Sequence, residues 1–180
     1  MPPETKGPQL ILPDSRYKFS YVSALREGLH LEPAKPEDIL LAEKDFLEYL
    51  RQRSDMSRPV ILPNGKQVKK LPQTDLWLVE GAKFLGMTSI RPLLNDNLRE
   101  RGGNIGYAVR KSERQKGHGA LILKLALPVV RAAGLEKVLI TCHDENIGSI
   151  RIIEGAGGVL QDKIKIEGLP ILERRYWITL

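Results

Sequence analysis

Apolar residues recur at helical spacing through the first third of the chain, at strand spacing through the middle, and in alternating blocks of both kinds to the end. Over 17–29, the segment YKFSYVSALREGL carries apolar residues three and four apart and stops at Gly28, which predicts a short helix. The stretch KPEDILLAEKDFLEYLRQRSDM predicts a longer one. Pro36 followed by Glu37 and Asp38 suits a helix start, because acidic groups there meet the positive end of the helix dipole. Ile39, Leu40, Phe46, Leu47 and Leu50 then make an apolar face. SRPVILPNGKQVKKLPQ reads as a loop region with a tight turn at Asn64-Gly65. TDLWLV and KFLGMTSIRPL flank Glu80-Gly81-Ala82 as the strands of a hairpin. A polar connection, LNDNLRERGG, leads into the strand NIGYAVR.

The second half alternates more regularly. ALILKLALPVVRAAG predicts a helix that ends at Gly134, with Pro128 inside it removing one backbone hydrogen bond and bending the axis. LEKVLITCH is a continuous apolar run, the pattern of a buried strand. NIGSIRIIEGAGG predicts a short helix stopped by its glycines, and VLQDKIKI and ERRYWITL close the chain as strands. This order predicts an α/β fold, a mixed sheet with helices on its faces. The unit over 104–143 is strand-helix-strand, so its crossover should be right-handed and its two strands parallel. With no internal repeat and no linker after residue 60, the expected organisation is a single domain over 1–180, with 1–15 a loose, Pro-punctuated lead-in.

Chemistry enters at VRKSERQKGHGALIL, where a strand hands over to a helix through Gly117-His118-Gly119 and the basic residues Arg110, Lys111, Arg114 and Lys116. The first N–H groups of a helix have no partner inside it, and the dipole adds positive charge there. Glycines let a ligand approach the backbone. The pattern therefore fits a diphosphate cradle, and equally an ordinary turn with a helix-packing glycine. No Gly-Lys-Ser/Thr follows, which argues against a P-loop, and Ile122 stands where a dinucleotide fingerprint needs its third glycine.

Composition narrows the classes. The 180 residues suffice for one core, and the net charge of +6 is compatible with an anionic partner, while most Lys and Arg outside 110–116 read as a scattered solvated surface. A nucleic-acid partner is not expected, because aromatics interleaved with basics on one face are missing. No apolar run is long enough for a bilayer, and the N-terminus lacks a basic start followed by an apolar core, so no membrane association or leader is expected. The single cysteine, Cys142, excludes an internal disulfide and suits a reducing, cytoplasmic setting. As a strand thiol it is expected to be inert. One Cys with His30, His118 and His143 shows no ligand spacing, so no metal is expected.

Arg114-Gln115-Lys116-Gly117-His118-Gly119 resembles the Arg/Gln-x-x-Gly-x-Gly/Ala signature of the GNAT superfamily of N-acetyltransferases. The segments GGNIGYAVRKSERQKGHGALILKLAL and GLEKVLITCHDENIGSIRIIEGAGGVL resemble its central strand, cofactor helix, next strand and Asn-containing helix. The resemblance covers about residues 70–180, and within the superfamily the chain is similar to a subgroup of bacterial acetyltransferases without an assigned substrate. It implies the GNAT fold, a mixed central sheet splayed at two parallel strands with helices on both faces. It implies acetyl-CoA as co-substrate, no metal, and an amine acceptor of unknown identity; a homodimer is compatible with it. The diphosphate would sit on the N–H groups of Gln115, Lys116, Gly117, His118, Gly119 and Ala120, with Arg110, Lys111, Arg114 and Lys116 favouring the phosphate charge. The pantetheine arm would run along Tyr107, Ala108 and Val109, with the acetyl group by 139–141, and Asn146 and Ser149 would contact the arm.

The implied reaction is direct attack of the amine on the thioester in a ternary complex. An alkyl ammonium has a pKa of about 10.4, so a base must take its proton. A backbone N–H on the 107–109 strand would stabilise the oxyanion, and the leaving thiol, pKa about 8.5, needs little help. Here the chain departs from the family pattern. Ile153 stands where many members carry a Tyr acid, and Gly103 where some carry a Glu base. The substitutes are Ser149 as donor and Glu100 or His143 as base. Their plain alternatives are a helix-surface or cofactor-contact serine and a solvent-exposed strand end. Tyr176 is a further donor candidate or simply core, and Trp77 and Trp177 read as core or rim. Asp96, Glu100, Asp144 and Glu145 are expected to attract a cationic acceptor. With both familiar side chains missing, a catalytically degenerate coenzyme A-binding sensing or interaction module is the alternative.

Overall fold

The structure, a computed structural model, describes residues 7–29 and 35–180. Residues 1–6 of the expected lead-in, and His30, lie outside the described residues. In chain order the strands are β1 (Gln9–Ile11), β2 (Val60–Ile61), β3 (Gln67–Val68), β4 (Thr74–Glu80), β5 (Lys83–Ile90), β6 (Ile105–Val109), β7 (Lys137–His143), β8 (Val159–Lys165) and β9 (Leu172–Thr179). The helices are α1 (Lys18–Arg26), α2 (Pro36–Lys44), α3 (Phe46–Ser54), α4 (Asp96–Glu100), α5 (His118–Ala132) and α6 (Ile147–Gly155), with 3-10 turns at Ser15–Tyr17 and Lys111–Glu113. The chain divides into two compact units, one of Met1–Asp55, Asp75–Thr88 and Tyr107–Ile122, the other of Met56–Thr74, Ser89–Gly106 and Leu123–Leu180. No described helix is long and apolar enough to cross a membrane.

The first unit is built around aromatic rings. The helical spacing of α1 puts Tyr21, Val22, Ala24 and Leu25 on one buried face, next to Tyr17 in the preceding turn, and leaves Phe19 exposed. Tyr21 stacks on Trp77 at 4.4 Å between ring centroids and meets Phe84 edge-on at 4.9 Å. Phe46 and Tyr49 of α3 complete the cluster. Burying rings of this size contributes about 2 kcal/mol each from area alone. The single long helix expected over this region is two. Asp45 sits in an extended conformation and its Oδ1 accepts the Glu48 N–H at 3.0 Å, ending α2 and starting α3. The expected loose lead-in contains β1, which pairs antiparallel with β4 from Gln9↔Val79 to Ile11↔Trp77.

The second unit holds the antiparallel sheet β7-β9-β8. The register Thr141↔Arg175 and His143↔Glu173 puts Thr141, His143, Glu173 and Arg175 on one face. Val138, Ile140, Cys142, Tyr176 and Ile178 lie on the other face and are buried. The polar connection before β6 contains a helix the pattern did not predict: Asn95 caps α4 by accepting the Leu98 N–H at 3.0 Å. The turn at Asn64-Gly65 joins β2 and β3, and Asn64 donates to Glu167 at 2.9 Å.

β6 ends the sheet β1-β4-β5-β6 and β7 is the edge of β7-β9-β8, so the parallel pair predicted from the crossover belongs to neither described sheet. Asn104, just before β6, is the link within the second unit. Its N–H donates to the Leu139 carbonyl at 2.7 Å and its Oδ1 accepts the Leu139 N–H at 2.8 Å. Its carbonyl accepts the Arg91 N–H at 2.8 Å and its Nδ2 donates to the Arg91 carbonyl at 2.9 Å. All four polar groups of this buried side chain and backbone are thereby satisfied. The approach needs Gly103, at φ +60, because a Cβ there would lie 2.2 Å from the Leu139 carbonyl oxygen.

Candidate active site

In the first unit, β6 gives way to the Lys111–Glu113 turn and then to α5, as the sequence predicts. Two residues of the turn are left-handed, Gln115 at φ +62 and Gly117 at φ +83. Gln115 is the one non-glycine with positive φ among the described residues. Such a conformation costs an ordinary residue about 1–2 kcal/mol. Left-handed residues at such turns build concavities of backbone N–H groups that bind anions, and here the turn feeds directly into a helix start. A Cβ at Gly117 would meet nothing within 4 Å, so the glycine serves conformation and leaves the approach open.

The basic residues of the turn divide into two kinds. Arg110 is turned into α1: its Nε and Nη2 donate to Glu27 Oε1 at 2.8 and 2.6 Å, and Nη2 also reaches Ser23 Oγ at 2.8 Å. Arg110 holds the Glu27 carboxyl well down, at about 2, by those hydrogen bonds. Lys116 pairs with Glu113 Oε2 at 3.0 Å, Lys83 pairs with Oε1 of the same carboxylate, and His118 Nε2 stands 3.7 Å from Oε2. Glu113 is buried, and its carboxyl is lowered by Lys83 first and then by Lys116 against the cost of burial. Lys111 and Arg114 are exposed and carry their charge outward. Tyr107, Ala108 and Val109 lie on β6, and Gly119 and Ala120 in the first turn of α5.

In the second unit, the C-terminal end of β7 and the turn into α6 bring several polar groups together. The Asn146 N–H donates to the His143 carbonyl at 2.9 Å, and Asn146 Oδ1 caps α6 by accepting the Ser149 N–H at 3.0 Å. His143, Asn146 and Ser149 therefore share one turn. Across from His143, Glu173 is 2% exposed, with Oε1 accepting the Thr141 hydroxyl at 2.7 Å. Arg101 Nη2 is 3.3 Å from His143 Nε2. Glu100 is exposed at the end of α4. Of the acidic residues expected to draw a cation, Asp144 is engaged by Lys163 at 3.0 Å and Arg174 at 2.5 Å, which lower its carboxyl. Asp96 and Glu145 keep exposed or half-exposed positions.

Tyr176 is fully buried, its hydroxyl donating to Glu154 at 2.9 Å and accepting from Arg174 at 3.1 Å, with burial raising its pKa. Ile153 is buried as well. The Cys142 thiol is pushed up to about 12 by burial, which keeps it protonated. Among the described residues no group of three or more His, Cys, Asp or Glu side chains could hold a metal ion. The sequence reading missed Glu173, Arg101 and Glu27. No local pattern marks them, because each acquires its role from a partner far along the chain.

An acetyltransferase (GNAT) domain family model matches residues 29–159. No curated protein matches the chain by sequence. Among solved structures the chain is similar to the ribosomal-protein-S5-alanine acetyltransferase from Vibrio fischeri, with TM-score 0.63 and 13% identity, covering 98% of this chain and 94% of that one. It is similar to RimL, the ribosomal L7/L12 alpha-N-protein acetyltransferase in complex with coenzyme A, with TM-score 0.62, 12% identity, and 98% and 95% coverage. The microcin C7 self immunity acetyltransferase MccE, in complex with acetyl-CoA and AMP, matches with TM-score 0.61, 14% identity, and 96% and 92% coverage.

Proposed function

Since the chain belongs to the GNAT acetyltransferase family, we propose that it moves the acetyl group of acetyl-CoA to a primary amine by direct attack in a ternary complex. The observation that carries this reading is the turn of left-handed Gln115 and Gly117 feeding the start of α5. Backbone N–H groups of 115–120 grip the diphosphate there, and the exposed cations of Lys111 and Arg114 add attraction. Arg110 acts from behind, fixing the turn to α1 through Glu27. The acetyl-CoA and coenzyme A bound in structural neighbours support the same donor.

The acceptor is a small amine, a peptide N-terminus or a lysine; one neighbour is named an alpha-N-protein acetyltransferase and another a ribosomal-protein-S5-alanine acetyltransferase. The amine nitrogen attacks the thioester carbonyl carbon, the C–N bond forms, the C–S bond breaks, and the thiolate leaves. A backbone N–H of β6 stabilises the oxyanion. Asn146 has its Oδ1 committed to Ser149, so its Nδ2 is the part that meets the pantetheine arm. Proton transfer falls to His143, Ser149 or Glu100.

The second reading, a coenzyme A-binding module without turnover, is favoured by Gly103 and Ile153. No side chain fits at 103, and 153 is apolar and buried. Calorimetry with acetyl-CoA, followed by an amine panel read by free-thiol release, separates the two. Binding with turnover above the uncatalysed rate is the expected result. Binding without any acceptor supports the module, and no heat at all refutes both.

A further inference from the structure

Glu173 Oε2 is buried and has no hydrogen-bond partner, while the other oxygen is committed to Thr141. The Thr141 hydroxyl in turn accepts the Gly102 N–H at 2.9 Å, so its proton is available to Glu173 alone. A buried carboxylate oxygen without a donor is costly, and its persistence points to a donor that arrives during function. Two groups face it at 3.9 Å: Arg101 Nε and His143 Nε2.

We propose that Glu173 is the buried counter-charge that makes His143 the proton acceptor for the incoming amine. This rests on the acetyl-transfer reading above and adds a positioning residue that reading lacks. Guanidinium can only donate, so with Arg101 Nη2 at 3.3 Å the Nε2 of His143 is placed as an acceptor. A primary ammonium takes the place of the Arg101 fork, one cation for another, and gives a proton to Nε2. The imidazolium then directs Nε2–H at Glu173 Oε2, which gains its missing donor. The freed amine lone pair forms the C–N bond to the thioester carbon. As the C–S bond breaks, the departing thiolate takes the remaining excess proton from nitrogen, and His143 later returns its proton to water. An ammonium and a thioester thus become an amide, a thiol and one released proton.

The charges around His143 come from every neighbouring element. Glu173 lies on β9 and Arg101 beyond α4. Asp144, next in sequence, is offset by Lys163 of β8 and Arg174 of β9. The two charges left facing His143 are those of Glu173 and Arg101.

The test uses the full chain as wild type, Glu173→Gln, Arg101→Gln and His143→Gln. The His143 imidazole signal, followed by NMR against pH and assigned by its loss in His143→Gln, should respond in opposite directions in Glu173→Gln and Arg101→Gln. The acid limb of kcat/KM, measured with the best acceptor from the amine panel, should move to lower pH in Glu173→Gln. His143→Gln should lose about 10²-fold in kcat, with acetyl-CoA affinity by calorimetry unchanged in all three variants. If Glu173→Gln does not fold, Arg101→Gln at an exposed position and His143→Gln at a half-exposed one still decide. An unmoved titration in either charge variant, or full kcat in His143→Gln, overturns the role of Glu173 and His143 alone. Absence of acetyl-CoA binding in the wild type overturns the acetyl-transfer reading and this role with it.

Discussion

Gly103 shows how much one residue can decide. Its φ of +60 is left-handed, and an added Cβ would press on the Leu139 carbonyl at 2.2 Å and its carbon at 2.8 Å. Both contacts are to backbone, which cannot swing aside. Gly103→Ala should therefore destabilise the protein by about 3 kcal/mol, combining left-handed strain with overpacking, as read from the midpoint of denaturant unfolding. The position is closed to any side chain here. That much was legible in the sequence as a bare glycine, but its reason was not, since it lies in a strand more than thirty residues on. Glu173 was illegible for a related reason. In ERRYWITL the buried positions Tyr176 and Ile178 set a period of two that puts Glu173 on the opposite face, where a charged residue reads as solvated. Thr141, His143 and Arg101 cover it instead.

Among elements, those with strong periodicity were read well: α5, α6, β4, β5, β7 and β9 lie close to where the pattern puts them. Short or interrupted ones were not. The break at Asp45 depends on one capping bond inside an otherwise continuous apolar face, and α4 is a five-residue turn within a polar stretch. The turn before α5 was legible through its glycines and basic residues, but the partner of Arg110 was not, because α1 is distant in sequence. That partnership has a pH signature. The Glu27 carboxyl, ordinarily near 4.5, is held at about 2 in the folded chain, chiefly by hydrogen bonds from Arg110. A depressed carboxyl contributes stability fully above its unfolded value and loses it as pH falls toward the folded one. The Arg110–Glu27 contribution should thus be complete above about pH 5 and fade toward pH 2. Glu27→Gln should cost about 2 kcal/mol at neutral pH and flatten the acid limb of a stability–pH curve; an unchanged curve would remove the clamp from the account.

At the scale of the whole molecule, the charge balance of +6 favours an anionic substrate such as acetyl-CoA. Part of that charge is spent internally, since Arg110, Lys83 and Lys116 are paired with Glu27 and Glu113. What remains to attract the donor is exposed and screened by salt. Association of acetyl-CoA should slow several-fold between about 0.01 and 0.15 M ionic strength, with dissociation less affected, as stopped-flow measurements would show. Equal slowing of both phases, or none, would assign the excess charge to general solvation. The sequence predicted the α/β class, yet not the division into two compact units, because no linker or change of composition marks it and several strands and α5 contribute to both.

The seclusion of Cys142 has a practical corollary. With its ionisation displaced to about 12, almost none of the sulfur is nucleophilic at neutral pH. A chromogenic disulfide reagent added to a reaction mixture therefore finds no competing sulfur on the native chain, and the colour that develops measures liberated coenzyme A.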